Sequence, residues 1–106
     1  MAENKKYKVI VSDRAKRMLG MHIRFMAQVN KEEAAVAKKK ELMAAMGSLA
    51  RMPQRFPFFE EMYITPNKYH KMYVGKWYLI LYQIQDDMVY VDYILECRKD
   101  YGWLIQ

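Results

Sequence analysis

The sequence predicts an α+β domain. It reads as an N-terminal strand, a helical hairpin, and then a three-stranded antiparallel meander with the helices on one sheet face. Three observations carry this. Apolar residues recur at helical spacing from Ala15 to Leu49, and strand-like alternation takes over from Tyr69 to Glu96. Gly75-Lys76 and Asp86-Asp87 then divide the alternating stretch as hairpin turns do.

Tyr7–Ser12, YKVIVS, is the first strand, short and rich in β-branched residues. Ser12 or Asp13 is placed to cap the first helix by accepting hydrogen bonds from free backbone amides. Ala15, Met18, Leu19, His22, Met26 and Val29 form its apolar stripe, so His22 reads as a packed histidine. Asn30 with Glu33 three residues on resembles a capping box for a second helix running to about Arg51, before Pro53. Ala35, Leu42, Met46 and Leu49 are its inner side. The run Lys38-Lys39-Lys40 is either a solvated face or a reader of phosphates. MPQRFPFFEEMYITPN has neither period and reads as a loop that packs aromatics.

Strands follow at about 69–74, 77–84 and 88–96. With two-residue turns, Val74 faces Trp77 and His70 faces Leu81. Across the second turn Gln83 faces Tyr90, Leu81 faces Asp92, Leu79 faces Ile94 and Trp77 faces Glu96. One sheet face then holds Tyr78, Ile80, Tyr82, Ile84, Val89, Val91, Tyr93 and Leu95, beside Lys71 and Tyr73, and seats the helices. The other holds Met72, Val74, Trp77, Leu79, Leu81 and Ile94, studded with His70, Gln83, Tyr90, Asp92 and Glu96. An apolar floor carrying a few polar groups is a binding surface, covered by a partner, a substrate, a second copy or the C-terminal YGWLIQ.

At 106 residues the chain is one domain, 1–106. No apolar run reaches the length of a membrane span, and MAENKKYKVIV has no signal-peptide core. The single cysteine, Cys97, excludes an internal disulfide and fits a reducing cytoplasm, as a packed thiol at a strand end. Residues 1–55 hold 13 Lys/Arg against 5 Asp/Glu, whereas residues 56–106 hold 5 against 7. A basic half points to an anionic partner, nucleic acid or acidic protein. No metal or cofactor motif is present, and none is expected.

YKVIVSDRAKRML resembles the opening of the RelE/ParE toxin family, and MGSLARMPQRFP its second-helix end and proline loop. YHKMYVGKWYLILYQI resembles its middle hairpin, and VYVDYILECRKDY its last strand with an Arg-x-Asp-Tyr tail. The resemblance spans roughly Tyr7 to Ile105. It implies the toxin of a type II toxin–antitoxin module, a plasmid stabilisation protein, cytoplasmic and held inactive by an acidic antitoxin. RelE-like members cut messenger RNA on the ribosome, and ParE-like members poison DNA gyrase. For the nuclease branch the resemblance assigns His70 to proton exchange, Arg98 to the phosphate and Tyr101 to the leaving group. Trp77, Leu79, Gln83, Asp92 and Glu96 are the residues expected to bind substrate or partner. Met72 and Leu79 stand where RelE-like members carry a lysine and a central arginine. Glu96 stands where some relatives are basic.

Overall fold

In the computed structural model, which describes residues 5–61 and 65–96, β1 (Lys8–Val11) runs straight into α1 (Asp13–Val29). Ser12 makes that sharp entry possible. Its hydroxyl accepts from the Ala15 amide at 3.0 Å, and its own amide donates to the Val91 carbonyl at 2.9 Å. α1 closes where the Asn30 amide donates to the Met26 carbonyl. Asn30 therefore ends the first helix and does not cap the second. α2 (Glu32–Gly47) starts after Lys31 with no side-chain cap, and Glu32 and Glu33 lie in its first turn, where the helix dipole favours anions. A 3-10 turn, Ser48–Ala50, carries the helical direction on towards Pro53.

β2 (His70–Val74), β3 (Tyr78–Gln85) and β4 (Met88–Glu96) form the antiparallel meander, and β1 adds to β4 in parallel, giving the order β1-β4-β3-β2. Ala15, Leu42, Met46 and Leu49 of the helical layer are buried against Tyr78, Ile80, Tyr82, Val89 and Val91. Val29, expected on the inner stripe, is instead exposed.

Two local features move the register away from simple counting. The first turn has three residues, Gly75 to Trp77, so Val74 pairs with Tyr78 and His70 with Tyr82. Gly75 sits at φ +62°, a left-handed conformation that suits a residue without a Cβ. This adds one residue to the hairpin and reverses the faces of β2. His70, Met72 and Val74 turn towards the helices, and Lys71 and Tyr73 turn away.

The second feature is a β-bulge. Tyr82 pairs with Val91 but Leu81 with Tyr93, which leaves Asp92 as the extra residue of β4. Before the bulge the expected pairing holds, with Gln83 opposite Tyr90. After it, Leu79 faces Leu95 and Tyr78 faces Glu96, so Ile94 enters the helix-side core while Tyr93 and Leu95 leave it. Of the residues expected on the face that seats the helices, Tyr93 and Leu95 are the ones the bulge removes.

Candidate functional site

The bulge places Asp92 at the polar centre of the sheet face that points away from the helices. Tyr69, just before β2, and Gln83 of β3 both aim at it. The Tyr69 hydroxyl donates to Asp92 Oδ2 at 3.0 Å and Gln83 Nε2 donates to the same oxygen at 2.6 Å. Tyr93, displaced by the same bulge, meets Tyr69 edge-on with ring centres 5.8 Å apart. Because β1 pairs in parallel with β4, the first turn of α1 lies at the border of this face. The Arg14 guanidinium stands 4.6 Å from the centre of the Tyr93 ring. Lys68 lies 5.4 Å from the Tyr69 ring.

Beneath these polar groups lies a second, smaller core. Phe59 from the proline loop, Tyr69, Leu79 and Leu81 are buried together, with Tyr93 and Leu95 packed against them. The loop is held in place by strand-like bonds to the edge of β2. The Phe59 amide donates to the Tyr69 carbonyl and the Lys71 amide to the Pro57 carbonyl. Leu79 is thus packed inside the molecule rather than forming an open apolar floor.

The expected site residues fall into three groups. Gln83 and Asp92 are together on the outer face. His70 lies on the opposite side of the sheet, 8% exposed, with Nδ1 donating to the Phe56 carbonyl at 2.7 Å. Its ring is stacked 5.2 Å from Tyr82 and lies 4.2 Å from Phe58. The reversed face of β2 puts it there. Trp77 and Glu96 meet on the helix side, lining a groove of about 250 Å³ with Phe25, Met26, Val29, Asn30 and Tyr78. Arg98, Tyr101 and Cys97 lie outside the described residues. His22 is packed as expected, with Nε2 donating to the Ile94 carbonyl at 2.7 Å and its ring edge-on to Tyr78.

Sequence reading missed Tyr69, Tyr93 and Arg14 as members of the outer cluster. Tyr69 and Tyr93 were out of phase by one residue, and Arg14 belongs only because β1 joins β4. Among the described residues no three His, Cys, Asp or Glu side chains come together as metal ligands would. No described helix is long and apolar enough to cross a membrane.

Burial, then the hydrogen bond to Asp92 and the charge of that carboxylate, push the Tyr69 phenol up from 10.0 to about 12. Burial likewise pushes Tyr82, whose hydroxyl donates to the Pro53 carbonyl, well upward. Below the unfolded value of 10.0 both states keep the Tyr69 proton, and its contribution is fully present. Between there and about 12 the unfolded chain releases the proton while the folded one retains it, so stability falls with rising pH. Urea midpoints measured stepwise through that window should decline, and Tyr69→Phe should make the decline shallower. An unchanged slope in the variant would mean that Tyr69 titrates as it does in the unfolded chain.

The chain matches the family model described as the ParE toxin of type II toxin–antitoxin system, parDE, over residues 9–101. Its fold is similar to a solved chain titled "Chromosomal ParDE TA system from P. aeruginosa", with a TM-score of 0.74 at 8% identity. That similarity covers 88% of this chain and 98% of the other. Comparison with curated proteins gives no match.

Proposed function

Since the chain belongs to the ParE toxin family of type II toxin–antitoxin systems, we propose that it is a toxin acting by binding a protein target, DNA gyrase, rather than by cutting messenger RNA. The observation that carries this is the chemistry of the outer sheet face. Metal-free RNA cleavage needs a proton acceptor, a donor to the leaving oxygen, and cations for the charge that develops on phosphate. At the centre of this face is instead the Asp92 carboxylate, held by Tyr69 and Gln83. Two like charges about 4 Å apart near a protein surface repel by about 4 kcal/mol. Arg14 and Lys68 at the border supply cations beside Tyr93 and Tyr69, but the imidazole of His70 is across the sheet. A face built of Tyr69, Tyr93, Gln83 and Asp92 suits a protein surface, since tyrosine rings and a placed acceptor are what interfaces use.

The partner in the resting state is an acidic antitoxin. Complementarity with the basic half of the chain, 13 Lys/Arg against 5 Asp/Glu in residues 1–55, favours it. This reading puts the protein in the cytoplasm, where its target works. Expression without a partner should slow growth, and a small acidic antitoxin should restore it. The purified protein should inhibit supercoiling by gyrase and leave a translated message intact in primer extension on ribosomes. Cleavage without gyrase inhibition would overturn the proposal. If that cleavage were lost in Arg98→Ala and Tyr101→Phe, those tail residues would take up the phosphate-holding and proton-donating parts.

A further inference from the structure

The outward side of α2 is not explained by the proposed activity. A helix packed on one side normally shows water a polar face, and α2 does not. Away from its buried Ala35, Leu42 and Met46 it exposes Val36 (49%), Ala37, Met43 (54%) and Ala44. Charge is set in blocks along this strip, in the run EEAAVAKKK, with Glu32 and Glu33 before Val36 and Lys38, Lys39 and Lys40 after it. Lys38 is paired with Glu41 at 2.7 Å. Glu32, Glu33, Lys39 and Lys40 are exposed and have no ion pair among the described residues. We propose that this face docks on the same face of a second copy of the chain, with the two α2 helices antiparallel and Val36 at the two-fold axis.

The spacing makes this face complementary to itself. Residues seven apart return to nearly the same side of a helix, so Glu33 and Lys40 share one flank of the strip, and Glu32 and Lys39 the other. About a two-fold axis at Val36, Glu33 meets the partner's Lys40 and Glu32 meets the partner's Lys39, and each contact occurs twice. Flanking charges of this kind set partner and orientation in paired helices. A parallel pair would set glutamates against glutamates and lysines against lysines. An acidic partner, the expected antitoxin included, would be repelled at Glu32 and Glu33, and a basic one at Lys39 and Lys40. An antiparallel copy satisfies both ends. Ala37 and Ala44 let the helices approach closely, and Glu32, Glu33, Val36, Ala37 and Lys40 line a shallow hollow for the partner's Val36. A helix of 16 residues is about 24 Å long. One helix face falls short of the roughly 800 Å² per partner that a stable interface buries, so the dimer is weak and depends on concentration. Because α2 lies in the layer opposite the Asp92 face, both outer faces stay open in the pair and point apart.

Sedimentation of the full-length chain from about 5 to 500 µM, the range in which small interfaces associate, should show the mass rising from monomer towards dimer. Added salt should lower it again. Glu32→Lys with Glu33→Lys, and separately Lys39→Glu with Lys40→Glu, should each weaken self-association about tenfold or more, since attraction becomes repulsion at every cross-contact. An equimolar mixture of the two variants should associate again, because each supplies the charge that the other has lost. That recovery, with circular dichroism of each variant, excludes misfolding as the cause. Val36→Asp, at the axis, should keep the chain monomeric. A parent chain that is monomeric at the highest concentration would overturn the proposal. So would a dimer that neither charge reversal weakens, or a mixture that stays monomeric. None of these outcomes depends on whether gyrase is the target.

Discussion

Deleting Asp92 is expected to keep the fold while dismantling the polar centre of the outer face. Asp92 is the extra residue of the bulge, so without it Val91, Tyr93, Ile94 and Leu95 alternate without interruption and keep their partners Tyr82, Leu81, Ile80 and Leu79. Ile94 stays in the helix-side core, and Tyr93 and Leu95 stay on the other face. What goes is the carboxylate that accepts from Tyr69 and Gln83, and the carbonyl that accepts from the Ser12 hydroxyl. A buried donor left without its acceptor costs about 1–3 kcal/mol. Against a typical domain stability of about 5–15 kcal/mol, that loss should leave a cooperative transition at a clearly lower urea midpoint. Asp92→Asn keeps the bulge and an acceptor, so its midpoint should lie between those of the deletion and the parent. A deletion that is molten would show instead that the sheet needs the extra twist of the bulge itself.

His70→Ala is expected to be the next most damaging change, and through stability rather than chemistry. It removes a ring packed between Phe58 and Tyr82 and leaves the Phe56 carbonyl without its donor. An unpaired buried acceptor costs about 1–3 kcal/mol. The space left by the ring adds a cavity penalty that grows by about 24 cal/mol for each Å³ that fails to collapse. A total near 3 kcal/mol should show as a lower urea midpoint, with activity per folded molecule unchanged in gyrase assays run well below the transition. If His70 instead exchanged a proton with substrate, stability would change little while the rate fell about 10²–10⁴-fold. The two outcomes do not overlap.

The element order and most of the main core were legible because helical and strand periods differ so clearly in this chain. Ala35, Leu42, Met46 and Leu49 needed only spacing, and the inner positions of β3 needed only alternation. What escaped was phase. Gly75-Lys76-Trp77 reads equally well as a two- or three-residue turn, and Trp77 is apolar enough to pass for a strand residue. One added residue there moved His70, Met72 and Val74 across the sheet. The bulge left no mark either, since Tyr93, Ile94 and Leu95 are all apolar and tolerate either face. Gln83 and Asp92 were placed on the outer face because neither error reaches Gln83, and Asp92 is itself the inserted residue. Arg14 could not be grouped with them, because nothing local announces a parallel partner for β1. The capping box at Asn30 failed for a simpler reason: its amide was already used to end α1.

The parallel seam between β1 and β4 also sets when this molecule can come into being. Ser12 and Asp92, which meet at the seam, are eighty positions apart along the chain. A ribosome adds residues at about 5–20 per second, from the N-terminus. β1 and both helices are therefore made seconds before the strand that completes their sheet. The outer cluster needs Arg14 from one end of the message and Asp92 from the other, so a nascent chain cannot display it. Contacts between such distant segments also form late, because the intervening loop must first be closed. An interruption of translation before β4 would thus yield a fragment that lacks the binding face.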